Sequence, residues 1–282
     1  MVPLPAPIVC KSPKCPMDRA KSSNYYFMLI QPNTLFLGQR FIHLDEVDST
    51  MNYASGLVAK NKPAEGTVVL ADFQTAGRGQ AGNAWISAAA ENLTFSVVLF
   101  PSFLRVNKQF FLNMAVSLAV RSVAEELTGQ PVKVKWPNDI LIHRKKVAGI
   151  LITNTLRGEN LRTSIAGVGL NLNQAAFPPE LKNATSLRNE AGRRFDRKAS
   201  LEMLCEKLEQ YYLLLRSGKE ELLKAEYLDA LFGWRQKRTF YHLDEKPFEA
   251  EIVDVEESGK LCLKVGSELR RYDFKELIFD LG

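Results

Sequence analysis

The chain has 282 residues, 46% of them hydrophobic and 24% charged, enough for one large domain or a large domain with a small one. No stretch approaches the roughly 20 apolar residues of a membrane helix, and Cys10, Cys15, Cys205 and Cys262 make no CxxC pair, so a reducing cytoplasm is expected and a zinc or disulfide framework is not. The formal charge of +5 hints at nucleic acid only until it is mapped: residues 1–40 hold Lys11, Lys14, Arg19, Lys21 and Arg40 against Asp18 alone, which leaves the rest near neutrality.

Prolines at 3, 5, 7, 13 and 16 and little periodicity predict a tail, 1–38, that is at least partly disordered. It lacks the apolar core and cleavage pattern of a secretory signal. Regular structure is expected to begin between Leu35 and Phe41. "STMNYASGLVAK" (49–60) reads as a helix after cap-type residues; "TVVLAD" (67–72) and "NLTFSVVLF" (92–100) read as buried strands. Apolar residues at 110, 111, 114, 115, 118, 119 and 123 predict a helix over 107–129 that Gly129 ends. A strand-rich block (132–172) and a helical stretch from about Ala199 to Phe232, interrupted near Gly218, complete a region taken as 39–233. Beyond Trp234, short strands broken by Asp-Glu, Ser-Gly and Gly-Ser turns predict a small antiparallel barrel over 234–282. The class is α+β, a mixed sheet flanked by helices with a C-terminal β-barrel.

Three segments carry residues suited to chemistry. In "QTAGRGQAGNAW" (74–85), Gly77, Gly79 and Gly82 let backbone approach a ligand, and Arg78 offers a planar fork to phosphate or carboxylate. The spacing fits neither a Walker loop nor a Rossmann fingerprint, so a mobile surface loop is the alternative. In "KWPNDILIHRKKVAGI" (135–150), Trp136-Pro137-Asn138-Asp139 makes a corner and Lys146 begins a strand, facing a cleft or plain solvent. Gly149 leaves room against that strand. "IAGVGLNLN" (165–173) carries Gly167 and Gly169 in an apolar strand, which fits close approach of a ligand or a bulge for sheet curvature. Asn171 and Asn173 follow. His43, His143 and His242 share no metal spacing.

Together, "DST…QTAGRGQ…W…KWPND…K-x-AGIL…GVGLNLN" resembles the catalytic domain of the biotin–protein ligases, from about Phe41 to the end of the chain. The resemblance implies a biotin/lipoate-ligase-like catalytic fold with an SH3-like barrel behind it. It implies ATP-dependent activation of biotin to biotinyl-5′-AMP, and transfer to a lysine of a biotin carboxyl carrier protein. Ser49, Thr50 and Gln74 would face the ureido or ring end of biotin. Arg78, Gly79 and Gln80 would close over it, and Gly149, Gly167 and Gly169 would give it room. Met51 stands where the family commonly has asparagine. Arg78 and Lys146 would be the activating cations, with Asp139 as a third catalytic candidate. Trp85 would pack on adenine, and Lys135, Asn138, Asp139 and Asn171 would position phosphate, ribose or metal, with Mg²⁺ carried mainly by the ATP phosphates. Many members read GRGR in the loop; Gln80 replaces the second arginine, which implies weaker retention of the adenylate. The proline-rich start does not resemble the helix-turn-helix of the family's regulatory branch, so no DNA binding is expected, and none to membranes. A homodimer is left open. A lipoate–protein ligase or octanoyltransferase would carry a different arginine–glycine motif. A non-catalytic biotin-sensing module is favoured by Gln80 alone and opposed by Arg78 and Lys146.

Overall fold

The computed structural model describes residues 28–61, 63–244 and 246–281; the expected tail over 1–27 lies outside them. One sheet has seven strands: β1 (Phe41–Val47), β2 (Thr67–Gln74), β3 (Leu93–Leu99), β4 (Val132–Lys135), β5 (Asp139–Ile142), β6 (Lys145–Arg157) and β7 (Asn160–Leu170). Their order is β1-β2-β3-β7-β6-β5-β4. β1 and β2 are parallel, linked by helix α1 (Thr50–Asn61), and the remaining neighbours are antiparallel.

The central strands read as apolar runs because both sheet faces are covered. Val68, Leu70, Phe95, Val97 and Val168 point into a core shared with α2 (Phe110–Thr128) and α4 (Arg197–Arg216). The alternate residues Val69, Val98 and Ile165 meet Met51 and Ala54 of α1. Period-two alternation thus feeds two cores from the same strands. α2 begins at Phe110 after a 3₁₀ turn at Val106–Lys108, and Gly129 ends it in the left-handed region at φ 65°. The helical stretch after Ala199 divides as expected at Gly218, φ 75°, into α4 and α5 (Glu220–Ala230). A short helix, α3 (Leu187–Ala191), was not expected; Ser186 caps it by accepting from the Asn189 N–H.

Residues 28–38, grouped with the tail on composition, pack against α4. Glu209, 6% exposed, accepts from the backbone N–H groups of Leu35, Phe36 and Leu37 at 2.6, 2.8 and 3.0 Å. Glu202 and Glu206 take those of Gln31 and Asn33. A carboxylate with three amide donors is a strong anchor for a segment without regular structure of its own.

The C-terminal strands β8 (Lys237–His242), β9 (Pro247–Val255), β10 (Leu261–Val265), β11 (Glu268–Tyr272) and β12 (Leu277–Phe279) form an antiparallel sheet ordered β11-β10-β9-β8-β12. This agrees with an SH3-like unit, but no pairing of β11 with β12 closes it into a barrel among the described residues. Trp136 joins the two sheets: its indole N–H donates to the Gly259 carbonyl at 2.9 Å, and its ring lies 5.2 Å from Phe274. No described helix is long and apolar enough to cross a membrane.

Candidate functional site

A chamber opens on the α1 face of the large sheet. Its floor follows from strand register. Gly149 of β6 pairs with Gly169 of β7, which pairs with Thr94 of β3; in the next row Leu151 faces Gly167, which faces Ser96. Gly167 and Gly169 lie two apart and so point the same way. A Cβ on Gly167 would sit 2.6 Å from Met51 Sδ, and one on Gly169 would sit 2.2 Å from the Trp85 ring. The two side chains rest directly on strand backbone, in positions that only glycine leaves open.

One end of the chamber is built by the start of α1. Thr50 N–H donates to Gln74 Oε1 at 2.7 Å, and Ser96 Oγ donates to Thr50 Oγ1 at 2.8 Å. Gln74 therefore has its amide hydrogens left to offer a ligand. Ser49 and Thr50 are buried, and both line the chamber with Met51 and Gln74.

The mouth is the 77–83 loop. Arg78 and Ala84 form a β-bridge that folds the loop back on itself, and Gly77 has Trp85 O so close (2.3 Å from a built Cβ) that no larger residue fits. Arg78, Gly79, Gln80 and Trp85 line the chamber. Arg78 Nη1 donates to Asn52 Oδ1 at 3.0 Å. Trp85 Nε1 is buried without a hydrogen-bond partner.

The corner at 135–139 and the start of β6 supply the charged wall. Lys146 Nζ lies 2.5 Å from Asp139 Oδ1, and Lys135 Nζ lies 3.2 Å from Asp139 Oδ2. One carboxylate thus serves two lysines, one on each oxygen. Lys146 Nζ also stands 5.7 Å from the Trp85 ring centroid, within reach of a cation–π attraction. Its backbone is held on both sides. Leu141 of β5 pairs with it; on the other edge, Lys146 N–H donates to Asn183 O and Lys146 O accepts from Thr185 N–H. Asn138 is buried, its side chain donating to Ile150 O at 2.6 Å.

Of the residues singled out in the sequence, Ser49, Thr50, Met51, Gln74, Arg78, Gly79, Gln80, Trp85, Asn138, Lys146, Gly149, Gly167 and Gly169 come together around this chamber. Lys135, Asp139 and Asn171 stand behind its lining. Asp139 and Lys135 reach it through Lys146. Asn171 donates from Nδ2 to Thr185 O at 3.0 Å, while its Oδ1 is buried and unpaired. Sequence reasoning missed Asn52, Leu151 on the α1 face, the strand positions Phe95, Ile150 and Val168, which border the chamber while their side chains enter the opposite core, and the 183–185 strap beside Lys146. Only Asn52 had a signal, as the polar residue next to Met51 in "STMN".

His43, His143 and His242 lie elsewhere: His43 against Asp72 at 3.1 Å, His143 against Glu190 at 3.1 Å, and His242 stacked 4.3 Å from Phe248. Among the described residues no three His, Cys, Asp or Glu side chains gather as a metal site.

Residues 44–171 match the biotin/lipoate A/B protein ligase family. The bifunctional ligase/repressor BirA of Bacillus subtilis is 34% identical over 84% of this chain and 73% of its own. The biotin–[acetyl-CoA-carboxylase] ligase of Mycobacterium tuberculosis is 31% identical over 81% and 86%. Biotin protein ligase from Aquifex aeolicus, solved with biotin and ATP, superposes with a TM-score of 0.71 at 28% identity, over 86% of this chain and all of that one. With the glycine floor, the paired lysines and these likenesses in one chain, the protein belongs to the biotin/lipoate A/B protein ligase family.

Proposed function

We propose that the protein joins biotin to ATP as biotinyl-5′-adenylate and passes the biotinyl group to one lysine of a biotin carboxyl carrier protein or domain. The observation that carries this reading is a single chamber with hydrogen-bonding Ser49, Thr50 and Gln74 at one end, a glycine floor, and the cations Arg78 and Lys146. Biotin is an apolar bicycle with a ureido edge and a carboxylate tail, so it needs apolar walls and a few placed polar groups. In this reading the ureido edge meets Ser49, Thr50 and Gln74, the ring lies over Gly167 beside Met51, and the carboxylate points at Lys146. Adenine packs on Trp85.

In the first step a biotin carboxylate oxygen attacks the α-phosphorus of ATP and the bond to the β-phosphoryl oxygen breaks, releasing pyrophosphate. Two anions must meet, so the barrier is chiefly electrostatic. Lys146 and Arg78 answer it, and Asp139 keeps the Lys146 amine aimed by holding it at 2.5 Å. Mg²⁺ carried on the phosphates supplies further neutralising charge, as expected of an ion that favours phosphate oxygens and one or two carboxylates over a protein cage. Asn171 holds the 183–185 strap by donating from Nδ2 to Thr185 O, so we assign it to supporting the wall beside Lys146 from behind the lining. In the second step the carrier lysine amine attacks the acyl carbon and AMP leaves, while the 77–83 loop shields the mixed anhydride from water.

A cytoplasmic setting fits the free thiols of Cys205 and Cys262. No repressor function is proposed; biotin-dependent retardation of operator-type DNA would add one. The test of the ligase reading is the intact mass of a biotin carboxyl carrier domain after incubation with the protein and Mg·ATP, with biotin in one tube and lipoate in another. A biotin-sized gain on one lysine is the expected result. A gain with lipoate alone would move the protein to the lipoate branch. No gain beside normal biotin binding would leave a sensing module.

A further inference from the structure

Arg78 is exposed on a glycine-rich loop, where an unheld guanidinium would sweep a wide volume. It is held. Arg78 Nη1 donates to Asn52 Oδ1 at 3.0 Å, and Asn52 Nδ2 donates to Asp48 Oδ2 at 2.6 Å. A carboxamide suits this link because it accepts at one atom and donates at the other. The anchor is itself set: the Asn52 amide and the Ser49 backbone N–H hold the Asp48 carboxyl below the usual carboxylate range, so it is an anion throughout neutral pH. The backbone repeats the connection. Asp48 O accepts from Ala76 N–H and Val47 O from Thr75 N–H, both at 2.9 Å, tying the approach to α1 to the residues that launch the loop.

We infer that Asn52 is a positioning residue for Arg78, with Asp48 as its anchor. The first turn of α1 thereby does two jobs from consecutive residues: Ser49, Thr50 and Met51 line the chamber, and Asn52 sets the cation at its mouth. A ligand that orders the start of α1 also orders Arg78, through a path of two hydrogen bonds. The inference rests on the ligase reading only in taking adenylate formation as the reaction Arg78 serves. A bond between exposed groups can equally be worth very little, and a double-mutant cycle separates the two cases.

The measurement is biotin-dependent pyrophosphate release by the full chain, comparing wild type, Asn52→Ala, Arg78→Ala and the double variant, with melting temperatures beside them. Asn52→Ala is expected to lower kcat/KM about three- to tenfold with the melting temperature unchanged, since Asn52 is exposed. The double variant is expected to be no slower than Arg78→Ala. Asn52→Asp sets two carboxylates side by side and should be impaired; adding Asp48→Asn restores a donor opposite the new acceptor and should recover the rate. An Asn52→Ala rate equal to wild type, or a loss that simply multiplies that of Arg78→Ala, overturns the inference and leaves the ligase reading intact. Wild-type protein that forms no adenylate overturns both.

Discussion

Gly169→Ala tests the chamber floor directly. The new methyl would lie 2.2, 2.4 and 2.7 Å from three carbons of the Trp85 indole. Carbon atoms pack best at about 3.5–4.0 Å, so the ring must withdraw by roughly 1.3–1.8 Å. The floor cannot sink to spare it, because Gly169 is paired on both sides, to Thr94 and Gly149, in the middle of the sheet. Overpacking of this kind costs about 1–3 kcal/mol, a fall of several degrees in melting temperature at about 2–4 °C per kcal/mol. The larger effect is on chemistry: a displacement of about 1 Å can cost about a hundredfold in rate, and Trp85 is the proposed platform for adenine. Gly149→Ala is the internal standard. Its methyl would meet Trp85 and the Lys146 side chain at 3.2 Å, tight contacts that a few tenths of an ångström relieve. Biotin-dependent pyrophosphate release should therefore fall much further in Gly169→Ala, with most of the loss in KM for ATP. Activity within twofold of wild type in Gly169→Ala, or a greater loss in Gly149→Ala, would refute the packing argument.

Four further outcomes follow from named contacts. Lys146→Ala should abolish adenylate formation from biotin and α-labelled ATP while the protein stays folded, since Lys135 still neutralises Asp139; full activity would remove the mechanism. Gln80→Arg should slow the escape of biotinyl-adenylate, read as the off-rate of the labelled intermediate, and an unchanged off-rate rejects the role given to Gln80. Burial works against ionisation of Asp72, but hydrogen bonds and charge from His43 and Arg197 outweigh it and hold the carboxyl below its usual value. A depressed folded value means stability that is present above the unfolded value of about 3.9 and lost as pH falls through the folded one. Chemical denaturation should accordingly find wild type more stable than Asp72→Asn above about pH 4, with the gap closing at lower pH. Glu209→Ala strips the acceptor from three backbone N–H groups and should cost about 2–4 kcal/mol in urea unfolding; a change below about 0.5 kcal/mol would mean that water replaces the carboxylate.

Much of this site was legible because its constraints are local. Glycines in an apolar strand announce a close approach, and Gly167 and Gly169 have side chains seated on them. Gly129 after a helical period announces a left-handed stop, which the backbone adopts. Long-range partners were not legible. The clasp of residues 31–37 by Glu202, Glu206 and Glu209 joins positions more than 170 apart, and three glutamates on a helix otherwise read as a solvated face. The row that sets Gly149 beside Gly169 depends on strand register, which no short motif encodes. The second edge of Lys146 is filled by Asn183 and Thr185, from a segment with no strand pattern.

The corner at 135–139 has the residue types it has because it faces two ways. Lys135, Asn138 and Asp139 turn toward the chamber wall, where Asp139 is shared between Lys135 and Lys146. Trp136, between them, turns away and is 3% exposed, bonded to Gly259 O and packed on Phe274 and Phe279 of the C-terminal region. Lys135 Nζ lies 5.8 Å from the Phe279 ring, so the same aromatic group borders the wall and the anchor. A hairpin corner carrying only the chamber residues would leave the carboxylate that aims Lys146 on a short, solvent-flanked turn. Burying an indole against a second sheet fixes that turn through about 150–250 Å² of apolar contact. The C-terminal sheet contributes no residue to the chamber lining, yet it holds the corner from which Asp139 orients Lys146. Loosening that sheet should therefore be felt first in adenylate formation, before the large sheet loses any of its own pairing.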